Sequence, residues 1–272
     1  VIDRTVAAVA AAPSLRFVDT HTHLDDPAFD SDRDEVIARS NAAGVRRMVN
    51  VGYAPARWQS TIALAATRPD IAFSLGLHPG HADEWTDGLL ADLEVLARKH
   101  PVVAIGEIGL DFAHETPDPA LQHRVFEAQL DLARALSLPV VIHQRAAGSA
   151  CAEVLGAAAP DQHVVLHSFD GNGELLALGL ARGWIFGVGG LMTRTSSEEL
   201  RFALMTIPLD RIVLESDCPY LVPRGMNSRR NTPESIAHIA DALAALLHQP
   251  VYEVAAITTA TAERMFGRQD DA

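Results

Sequence analysis

A single lysine, Lys99, stands in this chain of 272 residues, and every other basic side chain is arginine. Basic residues number 22 against 35 acidic ones, a formal net charge of −13. That balance excludes a protein that coats nucleic acid through general electrostatics, although it leaves room for a local basic site. Cysteine is as scarce: Cys151 and Cys218 are too few and too far apart for a disulfide framework, so a reducing compartment and a cytoplasmic location are expected. No apolar run is long enough to span a bilayer, which excludes a membrane-spanning helix from the sequence. No Gly-, Pro- or Ser-rich linker and no low-complexity tract divides the chain, which argues for one domain. The opening stretch "VIDRTVAAVAAAPSL" resembles the apolar part of a signal peptide, but Asp3 precedes it and only Arg4 supplies positive charge. Residues 1–15 are therefore read as a mobile leader, and 16–272 as the folded domain.

What is present describes a large core. Hydrophobic residues make up 48% of the chain and charged residues 21%, with a mean hydropathy of +0.09. Short β-branched or apolar runs recur at 16–20, 46–51, 71–77, 102–108, 139–143, 163–167, 184–189 and 211–216. Between them lie stretches of helical spacing. "DSDRDEVIARSNAAG" offers Asp30 or Ser31 as an N-cap and Gly44 as a stop. "TPDPALQHRVFEAQLDLARALSLP" is the longest, with Leu121, Val125, Phe126, Leu130 and Leu132 near one face. A last helix over "PVYEVAAITTATAERMFG" would pack outside. Strand and helix alternating in this way predict a parallel sheet closed into a (β/α)8 TIM barrel.

The ionisable residues gather at the C-terminal ends of these strands. "FVDTHTHLDD" places His21 and His23 after the first, "GLHP" places His78 after the third, and "AIGEIGLD" places Glu107 at the end of the fourth. "VIHQR" places His143 at the end of the fifth, "VLHSFDG" carries His167, and "LESDCPY" carries Glu215 and Asp217. That is the face on which barrel active sites are built. Residues 21 and 23 point the same way on a strand and could grip one cation together. A His-x-His pair alone is weak evidence, and a lone buried acid can be satisfied by neighbours; the joint placement at six strand ends is what carries the reading. Imidazoles and carboxylates together hold divalent metals well, and more ligands are present than one tetrahedral site uses. Two cations are therefore expected, roughly 3.5–4 Å apart. A carboxylated lysine cannot bridge them, because Lys99 lies before the fourth strand, on the wrong side of the barrel. Glu107 is the residue left to bridge. His100, His123, His238 and His248 are read as solvated, His81, His114 and His163 as non-ligands, and Cys218 as packing.

These segments, with "RNTP" further on, occur in the order found in the TatD family of metal-dependent deoxyribonucleases, and the chain resembles that family from about residue 17 to 266. The resemblance implies that His21, His23, Glu107 and Asp217 hold one cation and that Glu107, His143 and His167 hold the other. It implies that Asp217 orients and deprotonates the attacking water, that His78 lies beside the phosphate, and that Glu215 supports the ligands from behind. The working cations would be Mg, Mn or Zn; magnesium is common in the family, whereas four imidazoles favour softer ions. Metal-assisted hydrolysis of DNA ends or single strands is the expected activity, with Glu107, Asp217, His78 and Arg145 at the reacting centre. Arg224 and Arg230, in "VPRGMNSRRNTP", could guide a backbone phosphate along with His78 and Arg145. DNA is then a transient partner, and no membrane or obligate protein partner is expected. Two departures from the family pattern stand out: after His143 the Arg is kept but the following acid is replaced by Ala146, and "HSFDG" adds the charge of Asp170. The same site could instead cleave an ester or amide, such as an aminoacyl-tRNA linkage or a lactone, and the acidic balance leans that way. A non-catalytic module with structural metals is the third reading; a placed base in an open cleft argues against it.

Overall fold

The computed structural model describes residues 15–115, 117–157 and 161–267. Of the leader expected over 1–15, residues 1–14 lie outside the described residues, and Leu15 already packs on the core. The chain then alternates strand and helix. β1 (Phe17–Thr22), α1 (Arg33–Ala42), β2 (Val45–Gly52), α2 (Pro55–Thr67), β3 (Ile71–Leu75) and α3 (Asp87–Lys99) come first. β4 (Ala104–Asp111), α4 (Pro119–Leu136), β5 (Val140–Arg145), α5 (Gly148–Ala157), β6 (Val164–Leu166) and α6 (Gly173–Arg182) follow. β7 (Ile185–Val188), α7 (Glu198–Leu204), β8 (Ile212–Leu214), α8 (Ser235–Leu247) and α9 (Val251–Phe266) complete it. The eight strands are parallel and ordered β1 to β8, the single-domain barrel anticipated from the periodicity. No helix among the described residues is long and apolar enough to cross a membrane.

Alternation along each strand sorts the core into two shells. Val18, Val49, Ala72, Ala104, Val141, Val165, Ile185 and Val213 fill the barrel interior with small or β-branched side chains. Phe17, Met48, Phe73, Ile105, Ile142, Leu166, Phe186 and Leu214 point outward into the layer shared with the helices. α9 is more than an outer helix: its Ala262 and Phe266 belong to the interior cluster, so its last turn plugs the bottom of the barrel. The floor being apolar, polar chemistry is confined to the opposite mouth.

Closure between β1 and β8 relies on side chains as much as on a ladder. The bridge Thr22 to Cys218 is isolated; Asp217 N–H donates to His21 O and His23 N–H to Cys218 O, both at 2.9 Å. Below them the Asp19 carboxylate accepts the Ser216 N–H at 2.9 Å, and Thr20 Oγ1 donates to Leu214 O. Burial raises the Asp19 carboxyl pKa to about 7, against the bonds from Ser216.

Two local expectations need correction. α1 is capped by neither Asp30 nor Ser31: Asp32 occupies the N-cap but makes no side-chain cap bond, because its carboxylate is taken by Arg230. Glu107 does not end its strand. β4 continues to Asp111 because Gly109, Leu110 and Asp111 pair with His143, Gln144 and Arg145. The register shifts between Gly106 and Ile108, and this bulge re-aims Glu107.

Gly109 has φ +141°, and a Cβ there would collide with the His143 carbonyl oxygen. Gly109→Ala should therefore cost about 3 kcal/mol or more through strain and lost β4–β5 pairing. A urea midpoint equal to that of the parent would show that the strand pair tolerates a side chain there.

Candidate metal centre

Glu107 is buried, and the bulge aims it at the axis of the mouth. Its Oε1 lies 2.6 Å from His143 Nδ1, 3.6 Å from His167 Nε2 and 4.0 Å from His78 Nε2. Its Oε2 lies 3.4 Å from His21 Nε2. Burial alone would push its carboxyl pKa up; the imidazoles of His167, His21 and His143 more than reverse this and hold it well below the usual range. Asp217 faces the same group, with Oδ1 3.3 Å from His23 Nε2 and 4.0 Å from His21 Nε2, and Oδ2 3.9 Å from His167 Nε2. Burial opposes its ionisation too, but the bond to His23 and the charges of His167 and His21 lower its pKa.

Three of the imidazoles, those of His23, His167 and His143, are oriented from behind. His23 Nδ1 lies 3.3 Å from the Val51 carbonyl, and an Nδ1–H donated to that oxygen leaves Nε2 free to face Asp217. His167 Nδ1 meets Glu215 Oε2 at 3.1 Å, while Glu215 Oε1 accepts the Ser168 N–H at 2.5 Å. Gly187 makes room for that carboxylate, which any Cβ there would strike. Burial works against protonation of His167, yet Glu215 and Glu107 raise its pKa. His143 Nε2 lies 3.2 Å from Asp111 Oδ2. His78 is different: its Nδ1 accepts the Gly80 N–H at 2.9 Å, and burial together with the charge of His143 lowers its pKa to about 3. It is therefore neutral at ordinary pH, with the proton on Nε2.

The donor set fits divalent cations. His21 is fully buried, and neither of its ring nitrogens has a hydrogen-bond partner among the described residues. Its ring stacks on that of His167 at 3.5 Å and 21°, an arrangement that two imidazolium ions would resist. Lone pairs left unused in a dry site call for an electrophile. His21, His23 and Asp217 converge closely enough to hold one ion, and so do His21, His167 and Glu215. A third group, His78, Asp111 and His143, also converges, but His78 Nδ1 is engaged as an acceptor, so its remaining nitrogen carries hydrogen.

The structure thus brings His21, His23, His78, Glu107, His143, His167, Glu215 and Asp217 to one mouth. Arg145 is exposed at its rim, and its charge helps to lower the Asp111 pKa. Arg224 is exposed on the loop after β8, where its backbone N–H donates to Thr193 Oγ1 and its carbonyl accepts from His238. Arg230 is engaged elsewhere: it makes a two-pronged pair with Asp32 at 3.0 and 2.7 Å, bonds the Ala28 carbonyl and lies 4.4 Å over the Phe29 ring. It ties the loop after β8 to the loop after β1, so a phosphate would have to compete with Asp32 for it. Asp170 spends one oxygen on the Asn172 N–H at 2.9 Å, as a turn residue does.

Sequence reasoning passed over Asp111, although strand alternation puts it on the side of Glu107 and Gly109. It also passed over two glutamines of α4. Gln122 bonds both the N–H and the C=O of Asp111, at 2.8 and 2.9 Å. Gln129 does the same to Leu77, the neighbour of His78, at 2.7 and 3.1 Å. One helix thereby registers the end of β4 and the loop after β3.

Residues 18–267 match the family described as TatD related DNase. The chain is 40% identical over 255 residues to the "3'-5' ssDNA/RNA exonuclease TatD" of Erwinia tasmaniensis, covering 91% of this chain and 98% of that one. It is 33% identical to the "Uncharacterized metal-dependent hydrolase YabD" of Bacillus subtilis, with 91% and 98% covered. Among solved structures it is similar to the TatD homologue YJJV of Escherichia coli K12, with a TM-score of 0.87, 30% identity and coverage of 93% and 98%.

Asp111 is the orienting partner of His143, and such partners typically change metal affinity 10–100-fold. Asp111→Ala should weaken cation binding within that range, whereas Asp111→Asn, which keeps an acceptor oxygen, should lose less. Titration against a chelating dye measures both; equal affinity in the parent and Asp111→Ala would remove this role.

Proposed function

This chain belongs to the TatD-related DNase family, and from that premise we propose that it is a 3′-to-5′ exonuclease of single-stranded nucleic acid working with two divalent cations. The observation that carries the reading is the two-sided presentation of Glu107, with Oε1 toward His143 and His167 and Oε2 toward His21. His21, His23, Glu107 and Asp217 would hold the first cation, and Glu107, His143 and His167 the second. Glu107 bridges. Mn, Mg and Zn all suit an oxygen–nitrogen set of this kind, and the imidazoles favour the softer ions. When bound, such cations acidify water and offset phosphate charge.

The chain supplies the rest. Asp217, ionised and at the mouth, takes a proton from water. His78 offers Nε2–H to a phosphate oxygen, and its low proton affinity keeps it a donor of one tautomer instead of an acid that titrates during turnover. Arg145 at the rim meets charge that develops on the phosphoryl oxygens. Glu215 acts through His167, which it orients. We read 16–272 as one catalytic domain, with DNA or RNA as a transient partner, and a cytoplasmic location fits two cysteines that are free and buried.

Chelation should abolish digestion of a single strand, and Mn should restore it. Glu107→Ala should lose cations together with activity. Asp217→Asn keeps an oxygen near His23 but removes the base, so it should retain most of its cations and lower kcat about 100-fold or more with little change in KM. Elemental analysis beside kinetics separates the two. Near-normal kcat in fully loaded Asp217→Asn would transfer the proton to another residue.

A further inference from the structure

The chain has three tyrosines, and two of them stand at the mouth of the barrel. Tyr53 follows β2 and sets its ring edge-on to His23, at 5.1 Å and 88°. Tyr220, three residues after Asp217, approaches the same imidazole at 5.8 Å and 65°. His81 continues the row, 5.6 Å from Tyr53. Arg57, which donates to the Asp25 carbonyl at 3.1 Å, lies near Tyr53. Tyr220 keeps 49% of its surface open, one of few large rings in the described chain to do so. These rings belong to the wall built by β8, β1, β2 and β3. Arg145 ends β5, which lies four strands from β1 in either direction around the barrel and hence across the mouth. Glu107 lies between the two walls.

A phosphodiester drawn to that centre has its charge met from the Arg145 side, and the attached base must lie along a wall. The aromatic one offers π-faces, on which any base can stack. The charge distribution favours such a contribution. The chain carries −13, and of the arginines on the β8 loop Arg230 is committed to Asp32, which leaves the exposed Arg224 and Arg229 as that loop's cations for a phosphate backbone. We propose that Tyr220 and Tyr53 form a stacking platform for the nucleobase beside the scissile phosphate, so that single strands are held by their bases more than by backbone charge. The proposal rests on the exonuclease reading above and names how that site takes its substrate. It implies tolerance of base sequence, because no fixed set of hydrogen-bonding groups is asked to read a base edge.

The test uses the Mn-loaded protein and a short single-stranded deoxyoligonucleotide that ends 3′ in 2-aminopurine and carries phosphorothioate linkages against cleavage. Binding to the parent should quench the fluorescence, since quenching reports stacking, and the dependence of log Kd on log salt should have a slope no greater than about one phosphate contact, ~0.7. Tyr220→Leu should bind roughly tenfold more weakly and lose most of the quenching, Tyr53→Leu should shift the same way, and Tyr220→Phe should keep both signals. Cation content and circular dichroism verify that the variants are folded and loaded. Parent-like affinity and quenching in loaded Tyr220→Leu would overturn the platform, as would a steep salt slope in the parent. An unprotected copy of the strand keeps the two claims apart. If the parent digests it while Tyr220→Leu quenches normally, the platform is wrong and the nuclease stands; if the parent neither digests nor binds it, the nuclease reading falls and takes the platform with it.

Discussion

A carboxylate placed in a dry barrel mouth is costly unless cations or protonated groups surround it, and Glu107 is surrounded by four imidazoles carried on or just after β1, β3, β5 and β6. Every other feature of the mouth answers to that residue. The imidazoles can face it only if the strands close into a ring, and the ring can be polar at one end only because β-branched side chains and the last turn of α9 fill the other. A carboxylate so encircled turns one oxygen toward His143, His167 and His78 and the other toward His21, the feature on which the proposed pair of cations rests.

Rigidity around Glu107 comes from several modest devices. The β4 bulge turns it inward, and Gly109 lets the strand recover its pairing with β5 beyond that point. Glu215 orients His167 and Asp111 faces His143, while the glutamines of α4 hold the backbone of Asp111 and of the residue before His78. Amide side chains are suited to this because one group both donates and accepts, as a neighbouring peptide would. At the seam the Asp19 carboxylate takes over where the β1–β8 ladder is sparse, and the Arg230–Asp32 pair spans the loops above it. The ends of the chain's sheet therefore meet where Asp217, His21 and His23 must converge.

Much of this was legible in the sequence, for identifiable reasons. All eight strands could be read because each has a short apolar core that is buried, and the histidines stood out because each lies at or just beyond the end of such a run. Glu107 was found but misplaced at a strand end, since a bulge depends on the partner strand and leaves no local trace. Asp32 looked unremarkable beside Asp30 and Ser31 as a helix cap, and only Arg230, 198 positions away, explains why it does not act as one. The same distance in sequence hid Arg230's engagement and let it pass for a phosphate contact. Gln122 and Gln129 sit within an amphipathic helix whose apolar stripe reads correctly without them. Asp111 was the nearest miss: its place two residues beyond Gly109 on the inward side was available, but nothing local says that a strand continues past a Glu-Ile-Gly-Leu segment.

The central claim is that one buried carboxylate joins two cations. Anomalous diffraction from crystals grown with Mn, collected across the manganese edge, tests it most directly. Two peaks roughly 3.5–4 Å apart are expected, both in contact with the Glu107 carboxylate, one shared with His21, His23 and Asp217 and the other with His143 and His167. A single peak, or two peaks of which one does not touch Glu107, would contradict it.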